Sequence, residues 1–291
     1  MKFFGFSDSF KIGDAEYYVE TDYSPEREVI TTKILKDGNI VYYKKQKVSR
    51  DLSEEKILEI LKDFHLDTLR EYKGWGEISE KFIKGAPVEI HVKMAEKLMR
   101  MGLLSEAERH LQKAIEIDKD YSPIYKNYAI LYLIKSEYNK AFNYIAKALE
   151  ISPNYPDYYL LMGKILIKLS KEKESLSFIN EAIKRVPSYS EAHYEETKAF
   201  LSLIIKGVKI EKEKVMAKLK SLPIMDPRLN CEEYREALSH FEKNEYKECL
   251  SKLEEMEKIF YYNYPQEIIR DFTLLSKANV TTPLTLKEYI L

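Results

Sequence analysis

The 291-residue chain has only two cysteines, Cys231 and Cys249, one tryptophan and nine glycines. Two thiols cannot build a disulfide framework, so the fold must rest on its apolar core and suits a reducing compartment. Neither Gly38 nor the pair Gly74 and Gly76 is followed by the Lys-Ser/Thr step that a phosphate-cradling loop needs. A Gly-x-Ser-x-Gly nucleophile elbow is missing as well. No apolar run reaches the roughly 18 residues of a membrane span. The stretch Met1–Asp8 has one lysine and no apolar core, which predicts no secretory signal. Excess charge of one sign is also lacking: 47 Lys+Arg stand against 48 Asp+Glu, a net charge of -1. A nucleic-acid binder is expected to show a clustered basic surplus. Glutamine occurs only at Gln46, Gln112 and Gln266 while Lys and Glu are abundant. That balance fits either a thermophilic protein or an AT-rich codon bias. The expectation is a cytoplasmic, soluble globular chain.

The five histidines, at 65, 91, 110, 193 and 240, have no metal-ligand spacing. No His-x-x-x-His pair or carboxylate cluster accompanies them. The sequence therefore predicts no metal, no cofactor, no catalytic residue and no enzymatic activity. His110 sits one residue from an apolar column and is expected to face solvent. Cys249 takes a column that wants a small residue, so core packing is its expected role. Cys231 lies near a helix start, where a thiol pKa can fall.

What the chain has in quantity is repetition. Ala114, Ala148 and Ala182 are spaced by 34 residues, and the same interval joins Ala107, Ala141 and Ser175. Ala95, Ala129 and Gly163 keep step, as do Leu98, Tyr132 and Leu166, and Leu111, Ile145 and Ile179. Small residues at matched points let two antiparallel helices approach closely, and large residues one turn away fill the space to the next pair. Pro153 and Pro187 stop the second helix, with Lys119 in the same column. In these columns the chain resembles the tetratricopeptide repeat, although His91, Tyr125 and Tyr159 stand where that family usually has Trp.

The resemblance predicts a mainly α fold: a tetratricopeptide-like α-α solenoid behind a small N-terminal module of β-strands plus one helix. Three good repeats cover 88–121, 122–155 and 156–189. A degenerate fourth covers 190–229, with six extra residues placed around Gly207–Lys212. A divergent fifth covers 230–263, where Asn244-Glu245-Tyr246-Lys247 echoes Ser136-Glu137-Tyr138-Asn139. Residues 264–291 are read as a capping helix and a tail.

In this family the first helix of each repeat lines a concave face. The resemblance therefore implies a groove of Val92, Glu96, Met99 and Arg100; Lys126, Ile130, Leu133 and Ile134; Leu160, Lys164, Ile167 and Lys168; and Tyr194 and Lys198. Val92 and Glu96 occupy the places where some members hold a partner's C-terminal carboxylate with Lys and Asn, so that clamp is not expected. Asn127 matches the clamp's second-repeat Asn. An apolar floor with charged walls suits an amphipathic helix or an extended apolar segment of a protein partner. Self-occlusion of the groove and homodimerisation through it are the competing readings. No nucleic-acid partner is expected.

The front end follows a different period. Glu16–Thr21, Val29–Lys36 and Ile40–Lys47 read as strands of an antiparallel β module over 1–52. Lys36-Asp37-Gly38-Asn39 forms its hairpin turn. The run Tyr42-Tyr43-Lys44-Lys45-Gln46-Lys47 mixes aromatic and basic residues as single-strand binders do, but lysines also protect an edge strand. A helix capped by Ser53 covers the sheet and is expected to end or kink near Asp67, with Gly74-Trp75-Gly76 opening a linker that runs to residue 87. Two functions follow: a non-enzymatic adaptor holding a partner segment in the groove, or a ligand-binding or catalytic β head with the repeats serving for assembly or homodimerisation.

Overall fold

A computed structural model describes residues 5–256. The expected capping helix over 264–278, the tail and the end of the fifth repeat lie outside them. The chain divides into two compact units, Met1–Asn127 and Tyr128–Leu291.

The first unit opens with β1 (Gly5–Ile12), β2 (Ala15–Ser24), β3 (Val29–Lys36) and β4 (Asn39–Lys47), an antiparallel meander in the order β1-β2-β3-β4. Asp37 and Gly38 both take positive φ in the β3–β4 hairpin, the geometry of a tight two-residue turn. Alternation is clean on β2 and β3: Tyr17, Val19, Thr21, Tyr23, Ile30, Thr32 and Ile34 are buried on one face.

Helix α1 (Glu54–Phe82) covers that face. Ser53 accepts a hydrogen bond from the Lys56 amide at 3.3 Å, and Glu54 and Glu55 favour the positive end of the helix dipole. The expected stop near Asp67 does not occur, and Gly74-Trp75-Gly76 is helix rather than linker. The buried stripe simply changes chemistry: Ile57, Leu61, His65, Thr68, Tyr72, Gly76 and Ser79 follow one another at helical spacing. Its polar members are satisfied from other elements or from the helix itself. His65 bonds Thr21 through Nδ1 at 2.9 Å and Asp8 through Nε2 at 3.0 Å, and Thr21 meets Thr32 at 2.8 Å. Thr68 donates to the Phe64 carbonyl at 2.8 Å. Gly76 is required by packing, since a Cβ there would lie 2.7 Å from Ile12 Cγ1.

The first helical hairpin, α2 (Val88–Arg100) and α3 (Leu104–Ile117), belongs to the same unit. Ala95, Leu98, Ala107, Leu111 and Ala114 are fully buried, as their shared columns require. The β module docks on the end of this hairpin. Tyr72 donates to the Met101 carbonyl at 3.0 Å, and a Cβ on Gly102 would meet the Val41 carbonyl oxygen at 2.2 Å.

Helix α4 (Ser122–Ile134) carries the boundary between the units. The second unit continues through α5 (Tyr138–Ile151), α6 (Pro156–Lys168), α7 (Glu172–Arg185), α8 (Ser190–Ile205), α9 (Lys212–Met225) and α10 (Glu232–Glu242), and is helical again over 246–256. Gly163 shows why the columns are small: a Cβ on it would lie 2.5 Å from Ile179 Cγ1. Tyr128 and Tyr132 stack on Tyr144 with ring centroids 4.7 and 5.3 Å away, tying α4 to α5.

The first helix of every repeat ends in the same way. The left-handed residue is Gly102, Ser136, Ser170, Gly207 and Asn244 in turn. The next amide reaches back to the carbonyl of Leu98, Tyr132, Leu166, Leu203 and His240, at 2.8–3.0 Å in all five. This is the Schellman arrangement, which satisfies a carbonyl the helix would otherwise leave open. The interval of 34 between these residues lengthens to 37 after Ser170 and again after Gly207. The six extra residues are thus not gathered at Gly207–Lys212. Half lengthen α8, which has 16 residues against 13 in α6, and the rest lie in the loop before α9.

Candidate interaction surface

The residues expected to line a groove stand on the first helices of the repeats and fall in both units. In the first unit Val92 and Met99 are buried, Glu96 is half-buried and Arg100 is exposed. Glu96 Oε1 accepts from Lys126 Nζ at 3.2 Å and from Asn127 Nδ2 at 3.1 Å. Asn127 also donates to the Pro123 carbonyl at 2.9 Å, while its buried Oδ1 has no partner among the described residues. A carboxylate of the chain itself therefore already takes the Asn127 and Lys126 donors.

In the second unit Ile130 and Leu133 are half-buried, and Ile134 is 50% exposed. On α6, Leu160 is buried, Ile167 packs half-buried against the Leu160 and Ala192 cluster, and Lys168 is exposed. Lys164 is ion-paired to Glu191 and stands 3.9 Å from Glu195. On α8 the face is closed. Tyr194 is fully buried and donates to the Leu253 carbonyl, and Lys198 lies 3.3 Å from Glu195. Glu195, Glu196, Thr197 and Lys198 are all buried, so α8 is enclosed over a whole turn. Buried charges persist only when paired, and Lys218 accordingly pairs with Glu196.

Burial sorts the expected groove residues into two sets. Val92, Met99, Leu160, Tyr194 and Lys198 pack inside the chain, so Glu96, Arg100, Lys126, Ile130, Leu133, Ile134, Lys164, Ile167 and Lys168 are the members that reach the surface. Sequence pattern does not display the cover over Tyr194, because the Leu253 carbonyl that accepts its hydrogen bond lies 59 residues away.

Two further expectations change. His110 does not face solvent but is fully buried, its Nε2 2.9 Å from Ser79 Oγ and its Nδ1 2.9 Å from His91 Nδ1. Burial, with His91 and Arg109 adding to it, pushes its pKa down to about 3. Burial also lowers His91. Both imidazoles are thus neutral at pH 7, one donating to the other. Cys231 caps α10, but its partial burial raises the thiol instead of lowering it. Cys249 is fully buried in the cluster with Ala237 and Leu253, and burial pushes it up to about 12. Among the described residues no group of three or more His, Cys, Asp or Glu side chains could hold a metal. None of the described helices is long and apolar enough to cross a membrane.

The tetratricopeptide repeat family model matches residues 122–155, the hairpin of α4 and α5. The chain carries that repeat there, and its other described helices also follow one another as helical hairpins. Solved structures similar to it include MamA, residues 41 to the end, from Desulfovibrio magneticus, at 18% identity and a TM-score of 0.47, covering 62% of this chain and 98% of that one. YrrB, described as a TPR protein with an unusual peptide-binding site, is 21% identical with a TM-score of 0.42, covering 56% of this chain and 81% of that one. The first TPR of Spaghetti (RPAP3), bound to an HSP90 peptide, is 18% identical with a TM-score of 0.38, covering 44% and 94%. No curated protein matches the sequence.

Proposed function

We propose that this protein is a non-enzymatic cytoplasmic adaptor that holds a segment of a protein partner on the first-helix face of its repeats. The observation that carries the reading is the α4–α6 surface. Ile130, Leu133, Ile134 and Ile167 offer aliphatic surface there, and Lys168 stands exposed beside them. Such a surface suits the apolar side of an amphipathic helix or an extended apolar segment, with acidic groups at its margin. The internal pairing of Glu96 with Lys126 and Asn127 speaks against capture of a terminal carboxylate at that point. The competing reading makes the β module a ligand-binding head, which calls for a pocket between the sheet and α1. That space is filled by Phe10, Val19, Ile30, Ile34, Leu61 and Tyr72, which favours the adaptor.

The test is the double substitution Ile130→Asp with Ile167→Asp. The helical circular-dichroism signal is expected to persist while capture of the native partner in a pull-down is lost. Unchanged capture rejects this surface as the site.

A further inference from the structure

The face of the sheet turned away from α1 has no use in the adaptor reading. Tyr18 is 43% exposed there, Ile40 56% and Tyr43 58%. The strand register sets them in rows: Tyr18 is level with Leu35 and Ile40, and Glu20 is level with Lys33 and Tyr43. The next row holds Asp22, Thr31 and Lys45, and the last ends at Lys47 beside Val29. On this face β2 is therefore acidic and β4 basic, with apolar and aromatic groups at one end. Lys44 is not part of the basic strip, because it turns inward over the Phe64 ring at 4.5 Å. Carboxylates on the same face disfavour a nucleic-acid ligand. Edge-to-edge pairing through β4 is opposed by its register irregularity and its lysines.

We propose that this outer face is a homodimer interface, two copies packing sheet on sheet about a two-fold axis that runs along β3. Such an axis exchanges left and right while preserving height along the strands. It therefore lays the β2 of one copy over the β4 of the other, with Tyr18 facing Ile40 of the second copy and Asp22 facing Lys45 of the second copy. Leu35 meets its own equivalent on the axis. Lys33 also lies near the axis, where its own Asp22, 2.9 Å away, offsets the repulsion. The perpendicular choice of axis would set β2 over β2, acid upon acid. Sheets packed this way sit about 10 Å apart with strands within about 30° of parallel. With β1 overhanging, the three overlapping strands of about seven residues present roughly 330 Å² in projection. That is small beside the roughly 800 Å² of accessible surface that each partner buries in a standard interface, so the dimer forms in a concentration-dependent way.

Sedimentation equilibrium on the full chain tests this through charge exchange. Wild type is expected to rise from 34.4 kDa toward twice that mass as concentration approaches about 100 µM. Glu20→Lys with Asp22→Lys, and separately Lys45→Glu with Lys47→Glu, each set like charges against one another and remain monomeric. An equimolar mixture of the two variants restores the dimer. The Ile130→Asp, Ile167→Asp variant dimerises as wild type does, which separates this surface from the partner-binding one. A wild type that stays monomeric, single variants that still dimerise, a mixture that stays monomeric, or loss of dimer in the Ile130/Ile167 variant each overturns the proposal.

Discussion

Tyr17 on β2 donates its phenol hydrogen to Glu106 Oε2 on α3 at 2.5 Å, and both side chains are buried. Lys36 completes the group, with its ammonium 3.9 Å from Glu106 Oε1 and 5.3 Å from the Tyr17 ring centroid. Burial, followed by the hydrogen bond to Glu106, raises the Tyr17 pKa, so the phenol stays a donor throughout the working pH range. The contact fastens the β module to the first repeat.

Tyr17→Phe should therefore destabilise the chain, since it leaves a buried carboxylate oxygen without its donor. The expected loss is about 1–3 kcal/mol in urea denaturation. Adding Glu106→Gln should cost less than the two single losses combined, because the second change removes the charge that the first leaves unpaired. Strictly additive losses would show that the pair is not coupled.

The His91–His110 pair predicts a stability that falls with acid. The pKa of His110 is about 3 in the folded chain, below the ordinary value of 6.5, so the unfolded state gains the proton first as pH drops. Stability is then fully present above about pH 6.5 and is lost progressively toward about pH 3. Between pH 7 and pH 5 this one group should account for about 2 kcal/mol. His110→Asn should be less stable at pH 7 but should lose less on going to pH 5. A slope equal to that of wild type would remove the histidine from the account.

Ser136 and Ser170 hold left-handed φ of 60° and 59° at positions where the first and fourth repeats use glycine. Ser136→Gly and Ser170→Gly should each stabilise the chain by about 0.5–1 kcal/mol, relief of the Cβ clash outweighing the extra freedom of the unfolded chain. Thermal melts of the single and double variants measure this. A fall in melting temperature would mean that the serine side chains hold these turns in a way the backbone does not.

The helical array was legible because its columns are enforced by steric contact: where Gly163 meets Ile179, nothing larger fits. The strand β1 was less legible, since Ser7, Asp8 and Ser9 mask the alternation of Phe6, Phe10 and Ile12. The length of α1 was hidden for a related reason. Thr68, Gly76 and Ser79 look like the end of an apolar stripe, yet each is accommodated by a partner or by close packing that local sequence does not display. His110 belongs to the same class, its partners coming from α1 and α2. At the candidate surface, register gave the direction of each side chain but not whether another part of the chain would cover it. Tyr194 and Lys198 show that difference most clearly.

The docking of the sheet on α3 also sets an order of events during synthesis. Tyr17 and Glu106 are 89 residues apart in sequence, whereas each helical hairpin closes on its near neighbour. At roughly 5–20 residues per second on a ribosome, the sheet waits on the order of 5–20 s for the helix that completes its packing. During that wait its edges and the far end of α1 stand open. The front of the chain thus keeps this surface open until α3 has emerged.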